Sequence, residues 1–276
     1  MKYLANLLYV LCLLLSTSNH SLAQQTGDLS FSYPGGVVEL ILPKNSNVLP
    51  SVQYGIREPV IIEQFDHWRV IIGLDINTLP GDYLAYIKYP DSGSPAYSIK
   101  FTVRQKSYPI TEVDSELQSN INIQHEKLSD LDFSNTEQPI FPLKLPIAGQ
   151  WDDAFANQEF NIRLEAEQQD IISQNFVSLT TTEIATVSSP AKAIVSRIIL
   201  SDESSPLATI YLDHGRGLYS IISGVSDLSV STGDGILAGA VIGKLSQDEK
   251  NSSPKVLKWQ CMINGVYVNP LILTQL

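Results

Sequence analysis

Short apolar runs separated by turn signals fill the first third of the chain. Apolar and β-branched residues dominate positions 35–42, 60–63, 68–74, 83–89 and 97–103. Turn-forming clusters lie between these runs, such as Pro43-Lys44-Asn45 and Pro80-Gly81-Asp82. Runs of this length and spacing are typical of strands in a small antiparallel sandwich. The pattern therefore predicts a β-sandwich-like N-terminal domain over residues 24–108.

The segment 109–139 differs in composition from the preceding runs, because it is polar and acidic. Its apolar residues recur at roughly helical spacing (Val113, Leu117, Ile121, Leu128 and Leu131). Three prolines between positions 139 and 146 would end any helix. We therefore predict a linker of one or two helices over residues 109–139.

Strand patterns return in the last half of the chain, over residues 140–276. The best candidates are 194–200, 208–212, 217–222, 239–245 and 256–263. Asp234-Gly235 and Asn264-Gly265 are dipeptides that favour tight hairpin turns. The pattern predicts a second, antiparallel β domain, so the chain as a whole is predicted to be all-β with a helical linker.

The first residues indicate export. Lys2 precedes an uncharged apolar run over 3–15, and Ser21-Leu22-Ala23 resembles a signal-peptidase site. We predict a signal peptide over 1–23 and an exported protein of the bacterial periplasm or cell envelope; an uncleaved anchor is the alternative. No second apolar run reaches the length of about 20 residues that spans a bilayer. No stable membrane anchor is therefore expected after cleavage.

Charge narrows the range of partners. The formal net charge is −11, and removal of the signal, which carries Lys2 and no acidic residue, makes it one unit more negative. This acidic balance argues against nucleic acid or an anionic membrane surface as a partner. It does not oppose the binding of a neutral or cationic peptide.

Three blocks in the second half resemble the LytM or lysostaphin-type peptidoglycan endopeptidases. They are IATVSSPAKAIV at 184–195, YLDHGRGLYSIISGVSDLSVSTGDGILAGAVIG at 211–243 and LKWQCMINGVYVNPL at 257–271. The second is similar to the family's D-H-G-x-G followed by G-D-x-V-x-x-G-x-x-I-G, and the third to H-L-H-W/F-E-V-x-x-N-G-x-x-V-N-P-L. The resemblance implies an antiparallel sheet of the duplicated hybrid motif kind. The region 24–108 also resembles the β-rich domain that precedes the peptidase domain in some bacterial members.

The resemblance also implies where the zinc and the catalytic groups would lie. The family holds zinc with H-x-x-x-D and the second histidine of H-x-H, which fall on Gln174, Ser178 and Lys258 here. The two assisting histidines, from Y-x-H-L and H-x-H, fall on Gly224 and Val256. A catalytic zinc needs three protein ligands and one open position. We therefore predict that zinc is lost, that no cofactor is bound and that the domain is not an enzyme.

A count of histidines gives the same answer without alignment. Of the four histidines only His214 lies within 140–276. The resemblance places a non-catalytic histidine there, so His214 is predicted to be structural, at the turn before Gly215.

Strand periodicity assigns faces to the segment that begins at Val256. Side chains alternate along a strand, so Val256, Lys258 and Gln260 should share the former active-site face. Cys261 should point to the core, as a small buried hydrophobe; a reactive thiol or an intermolecular disulfide is the alternative. Two interpretations of Lys258 stay open. Either its ammonium partly replaces the positive charge of the metal, or it is a solvated lysine in an open groove.

These observations lead to one functional hypothesis with two alternatives. We expect a non-catalytic envelope protein, a pseudo-endopeptidase. It would bind a peptidoglycan stem peptide, or regulate a cell-wall hydrolase, through a groove that contains Lys258, Val256, Gly224 and Ser178. The alternatives are an active peptidoglycan metalloendopeptidase with an unrecognised site and a purely structural envelope component.

Overall fold

Six strands make up the N-terminal part of the molecule. They are β1 (Val37–Pro43), β2 (Ser51–Gln53), β3 (Val60–Glu63), β4 (His67–Gly73), β5 (Gly81–Lys88) and β6 (Tyr97–Val103). The structure is a computed structural model that describes residues 30–44, 47–55, 58–90, 93, 95–106, 110–112, 131–147, 163–165, 171–173, 175–181, 184–200, 207–245 and 255–276. The six strands form two antiparallel sheets of three, in the orders β1-β4-β3 and β2-β5-β6.

The two sheets enclose a common apolar core. Val38, Leu40 and Leu42 alternate along β1 and contact residues such as Ile87 and Phe101 from the opposite sheet. Trp68, Val70 and Ile72 do the same along β4. Period-2 alternation puts one row of side chains between the sheets. The six strands between residues 37 and 103 thus form the sandwich that their pattern predicts.

The C-terminal part is built on one seven-stranded antiparallel sheet. Its strands are β10 (Val177–Thr181), β12 (Ala193–Leu200), β13 (Ala208–Gly215), β14 (Leu218–Val225), β15 (Gly235–Ile236), β17 (Lys255–Ile263) and β18 (Val266–Val268). The order is β10-β17-β14-β13-β12-β15, and β18 pairs with β17. Strands β11 (Ala185–Ser188) and β16 (Val241–Leu245) form a separate antiparallel pair.

Two smaller features complete the architecture. A three-stranded sheet contains β7 (Ile110–Glu112), β8 (Arg163–Glu165) and β9 (Ile171–Ser173), with β7 parallel to β8. The helix α1 (Pro270–Leu273) begins after Asn269, whose side chain accepts a hydrogen bond from the Leu271 N–H at 3.0 Å and so caps it. No helix among the described residues is long and apolar enough to cross a membrane.

The sandwich packs directly on the C-terminal domain. Val37, Val60, Ile62 and Ile71 project from the outer face of the β1-β4-β3 sheet into the same apolar cluster as Val266, Val268, Ile272 and Leu273. A polar anchor lies beside it, because the Arg69 guanidinium binds both carboxylate oxygens of Glu39 at 2.9–3.0 Å and donates to the Leu276 carbonyl at 3.2 Å. The β1-β4-β3 sheet is therefore buried on both faces, which explains its nearly continuous apolar runs.

The predicted all-β fold is confirmed, and the strands lie close to their predicted positions. The signal peptide predicted over 1–23 and most of the linker, 113–130, lie outside the described residues. The described ends of the linker are not helical: 110–112 is strand and 131–139 is irregular chain. The domain limits at 24–108, 109–139 and 140–276 stay predictions.

Candidate functional site

Four of the five positions at which the resemblance places zinc ligands or catalytic histidines lie together on three neighbouring strands. Ser178 on β10 pairs with Lys258 on β17, and Lys258 pairs on its other side with Ser223 on β14. Gly224, the next residue of β14, lies against the carbonyl of Val256. We call Ser178, Gly224, Val256 and Lys258 the groove floor. The fifth position, Gln174, lies outside the described residues.

Strand β17 presents two different faces. Leu257, Trp259 and Cys261 are completely buried in the core cluster. On the opposite face the Val256 side chain is 42% exposed and Lys258 is partly buried. The alternation follows from the extended backbone. The side chain of Lys258 therefore lies on the sheet face that carries the groove floor, away from the core.

Lys258 has an unusual environment for a surface lysine. Its ammonium lies 4.9 Å from the centroid of the Phe176 ring, in a cation–π contact. Burial lowers the pKa of Lys258 below its ordinary value. No described residue places a carboxylate within ion-pair distance of this ammonium. The groove floor thus contains a partly desolvated positive charge that lacks a counter-ion within the described part of the chain.

Gly224 occupies a position that no histidine could take over without a change in the backbone. Its φ of 92° falls in the region that L side chains rarely adopt. A Cβ atom at this residue would lie 2.7 Å from the Val256 carbonyl oxygen. The sequence indicated only that the histidine was absent. The structure adds that the local backbone has no room for one.

The chemistry of the groove floor does not fit a zinc ion. Zinc in proteins is bound by thiolate, imidazole and carboxylate groups, whereas this surface offers an ammonium, a hydroxyl, a valine and a glycine. The ammonium of Lys258 has three donor hydrogens and no acceptor, so it would repel a cation. Among the described residues no group of three or more His, Cys, Asp or Glu side chains could hold a metal ion.

His214 lies on the opposite side of the sheet from the groove floor, in a buried series of hydrogen bonds. Its Nδ1 is 2.9 Å from the Lys192 carbonyl and its Nε2 is 2.8 Å from Ser220 Oγ. Burial lowers the pKa of His214 to about 4, so the ring is neutral at pH 7. Because a carbonyl only accepts, Nδ1 carries the proton and Nε2 accepts from the Ser220 hydroxyl.

Cys261 ends this chain of hydrogen bonds. Its Sγ lies 3.6 Å from Ser220 Oγ, and the Ser220 hydroxyl has already donated its hydrogen to His214. The thiol of Cys261 is therefore the donor to Ser220. Burial raises the pKa of Cys261, which disfavours the reactive thiolate. Both residues thus lie in a buried network, where the sequence analysis predicted structural roles.

The sheet face that carries the groove floor is covered at its other end by a segment whose first part, 131–139, was predicted to belong to the helical linker. This segment, residues 131–147, is called the strap. Leu131 packs with Tyr219 in an apolar cluster, Phe133 meets the Tyr219 ring edge-on at 5.6 Å, and the Tyr219 hydroxyl donates to the Asp132 carbonyl. The first residues of the strap therefore cover the sheet around Tyr219, and the groove floor lies at the opposite end of β14. Leu143 and Ile147, further along the strap, belong to the core cluster. The strap has no periodic pattern that would have revealed this contact.

Comparison with known proteins agrees with the architecture. Residues 175–270 match the family model described as Peptidase family M23. The crystal structure of a Pseudomonas aeruginosa protein described as a peptidase M23 superposes with a TM-score of 0.62 at 17% identity, covering 89% of this chain and 96% of that one. It shares the fold. No match was found among curated proteins.

Two further solved structures match less of the overall arrangement. Lysostaphin in solution gives a TM-score of 0.29 at 19% identity, over 33% of this chain and 37% of that one. A zinc containing peptidase from Vibrio cholerae gives 0.33 at 10% identity, over 95% and 66% of the two chains.

Proposed function

We propose, from the match of residues 175–270 to the model of Peptidase family M23, that this protein is a non-catalytic pseudo-endopeptidase of the bacterial cell envelope. Its groove floor would bind a peptidoglycan stem peptide, or a cell-wall hydrolase that it regulates. One observation carries the proposal. A lysine stands where the resemblance places a zinc ligand, and its ammonium is partly desolvated without a carboxylate partner among the described residues.

The case against catalysis rests on donor chemistry. A metallopeptidase needs three side chains that donate electron pairs to zinc and an open position for water. Lys258, Val256 and Gly224 supply none of these donors. Restoring the Y-x-H-L histidine at Gly224 would force the backbone out of its present conformation. A side-chain rotation at these three positions therefore could not supply the missing groups.

The case for binding rests on the cost of a partly buried charge. An ammonium removed from water without a partner is unfavourable, and a ligand carboxylate would offset that cost. The acidic side chains and free carboxyl groups of a stem peptide, or an acidic loop of a hydrolase, have this chemistry. The exposed side chain of Val256 lies on the same face, two residues along β17, and offers an apolar contact beside the charge.

The test combines metal analysis, a peptidoglycan-degradation assay and a binding titration of the purified mature protein. We expect no stoichiometric zinc, no degradation, and saturable binding of stem peptides or of a candidate cell-wall hydrolase. Lys258→Ala should weaken that binding by roughly tenfold to a hundredfold, because a charge-assisted hydrogen bond contributes about 1.5–3 kcal/mol. The matched control is Lys244→Ala, an exposed lysine of the same domain whose ammonium is 3.5 Å from the exposed Asp227.

Each alternative has its own outcome. Zinc-dependent degradation would support an active metalloendopeptidase and overturn the proposal. Absence of any binding by the wild type would favour a purely structural component. Equal weakening of binding by Lys258→Ala and Lys244→Ala would mean that the loss of affinity comes from the overall charge of the protein and not from the position of Lys258. The envelope location has a separate test, because the exported protein should begin at Gln24.

A further inference from the structure

A cleft of about 390 Å³ lies where the sandwich, the strap and two turns of the C-terminal sheet meet. The sandwich contributes residues from both sides of Ser51 and from the start of β3, and the strap contributes Phe133, Asn135 and Thr136. The turns contribute Arg216 and Asn264. The cleft is at the end of β14 opposite to Gly224, about 20 Å along the strand at about 3.3 Å per residue. It is therefore separate from the groove floor.

Arg216 brings a positive charge to this cleft. Its Nε is buried and has no hydrogen-bond partner among the described residues. Burial lowers the pKa of Arg216, opposed by the negative charge of Glu63. Glu63, however, is bound to Lys44, with 2.7 Å between its Oε1 and the ammonium. Arg216 lines the cleft, and no carboxylate of the described residues lies within ion-pair distance of its guanidinium.

The turn that carries Arg216 is held in place by both neighbouring segments. The Arg216 N–H donates to the Asn135 carbonyl of the strap at 2.7 Å. The Asn264 side-chain amide donates to the Glu58 carbonyl of the sandwich at 2.6 Å and to the Arg216 carbonyl at 3.4 Å. The backbone beneath the guanidinium is thus fixed before any ligand arrives, which lowers the entropic cost of binding.

The backbone of Arg216 is also strained. Its φ of 48° lies in the left-handed region, where arginine is disfavoured and glycine or asparagine is common. An asparagine occupies the equivalent turn position at 264 with a φ of 45°. The fold itself therefore does not require arginine at 216. A strained residue with an unsatisfied buried donor suggests a role outside folding.

The walls of the cleft set the class of ligand. Pro50, Val52, Pro59 and Ile61 are buried apolar lining residues, and Phe133 is partly exposed beside them. The lining also includes one acidic residue, the exposed Glu58. We propose that this cleft binds a small organic carboxylate with an apolar body, such as the C-terminal end of a peptide. The Arg216 guanidinium would bind the carboxylate of the ligand, and the wall of the cleft beside Phe133 would contact the apolar side chain of the ligand. This proposal does not depend on the function of the groove floor.

The test uses the full mature chain and two probes, acetyl-alanyl-leucine with a free carboxylate and the same dipeptide as its C-terminal amide. Titrations followed by NMR should show saturable binding of the acid and at least roughly tenfold weaker binding of the amide, because a charge-assisted bond is lost. Shifts should map to Asn135 and Asn264 side-chain amides. Arg216→Gly should lose at least tenfold in affinity for the acid.

Two comparisons keep the test specific. Arg216→Gly relieves the left-handed strain, so its melting temperature should be equal to or higher than that of the wild type, which separates loss of binding from unfolding. Lys100→Gln removes one positive charge from β6, at the opposite edge of the sheet from the cleft-lining strand β2, and should bind as the wild type does. Lys258→Gln should also bind normally, which distinguishes this cleft from the groove floor.

Three results would overturn the proposal. One is equal affinity for the acid and the amide. Another is unchanged binding by Arg216→Gly. The third is the absence of binding of the acid by the wild type up to about 10 mM, a limit that corresponds to less than 3 kcal/mol of binding free energy at about 1.4 kcal/mol per tenfold.

Discussion

The two faces of β17 show that the strands that build a site can be kept while the side chains of that site are replaced. On one face Leu257, Trp259 and Cys261 are completely buried. On the other, Val256 is 42% exposed and Lys258 is partly buried over an aromatic ring. The stability of the sheet comes from the first face, through apolar burial and the ladder hydrogen bonds to β10 and β14. At Val256 and Lys258 the groove face can therefore change its residues without loss of the fold, whereas further along the strand the same face is buried, with Gln260 and Met262 at 4% and 0% exposure.

The difference between the two faces is tested most strongly by removal of the largest side chain of the core face. Trp259→Ala should cost about 3–5 kcal/mol of unfolding free energy, because it leaves a large cavity. Val256→Ala, on the same strand but on the groove face, should cost less than about 0.5 kcal/mol. Denaturant unfolding at equilibrium measures both. Similar losses for the two variants would show that the faces do not differ as described.

A second test uses the pH dependence of His214 on the core face. The folded-state pKa is about 4, against an ordinary value of about 6.5. Between these values the unfolded state binds the extra proton, so stability is complete above about pH 6.5 and falls as the pH drops toward 4. The loss attributable to His214 is about 3 kcal/mol. His214→Gln has no ring to protonate, so its stability should fall less over this range.

Asp213, the residue before His214, also affects how stability depends on pH. The quantity to measure is therefore the difference in stability between the wild type and His214→Gln. Burial raises the pKa of Asp213. Its contribution to stability therefore has the opposite sign to that of His214 and diminishes as the pH rises through the pKa of Asp213. Asp213 is present in both proteins, and its effect therefore cancels to first order in the comparison. Parallel stability curves for wild type and His214→Gln between pH 7 and 4 would contradict the buried neutral ring.

The strand pattern was the most predictable part of this molecule. Alternation alone assigned Lys258 and Cys261 to opposite faces, and the predicted strand at 194–200 differs from β12 (Ala193–Leu200) by one residue. These features depend on neighbours in the chain. The contact of Lys258 with Phe176 and the course of the strap depend on packing between distant segments. Neither leaves a periodic signal in the sequence.

A third test sharpens the account of Gly224. Gly224 and Gly233 have nearly the same backbone angle, with φ of 92° and 95°, but a Cβ at Gly224 would meet the Val256 carbonyl at 2.7 Å, whereas Gly233 has open space. Gly233→Ala should cost about 1–2 kcal/mol from the left-handed conformation alone. Gly224→Ala should cost about 1–3 kcal/mol more, because of overpacking. Equal costs would mean that the backbone near Val256 yields easily and could have held a histidine.

The smallest expected effect is that of a chelator on the mature protein. A site-bound zinc present at a hundred times its dissociation constant would add about 2.7 kcal/mol to stability. In a chain of this size that corresponds to a rise of roughly 5–10 °C in melting temperature, at about 2–4 °C per kcal/mol. Because the ammonium of Lys258 and the other groups of the groove floor cannot ligate zinc, EDTA should shift the melting temperature by less than about 1 °C. Added zinc should leave it equally unchanged. A drop of several degrees with EDTA that zinc reverses would reveal a metal site that includes positions outside the described residues, with the region of Gln174 the first to search.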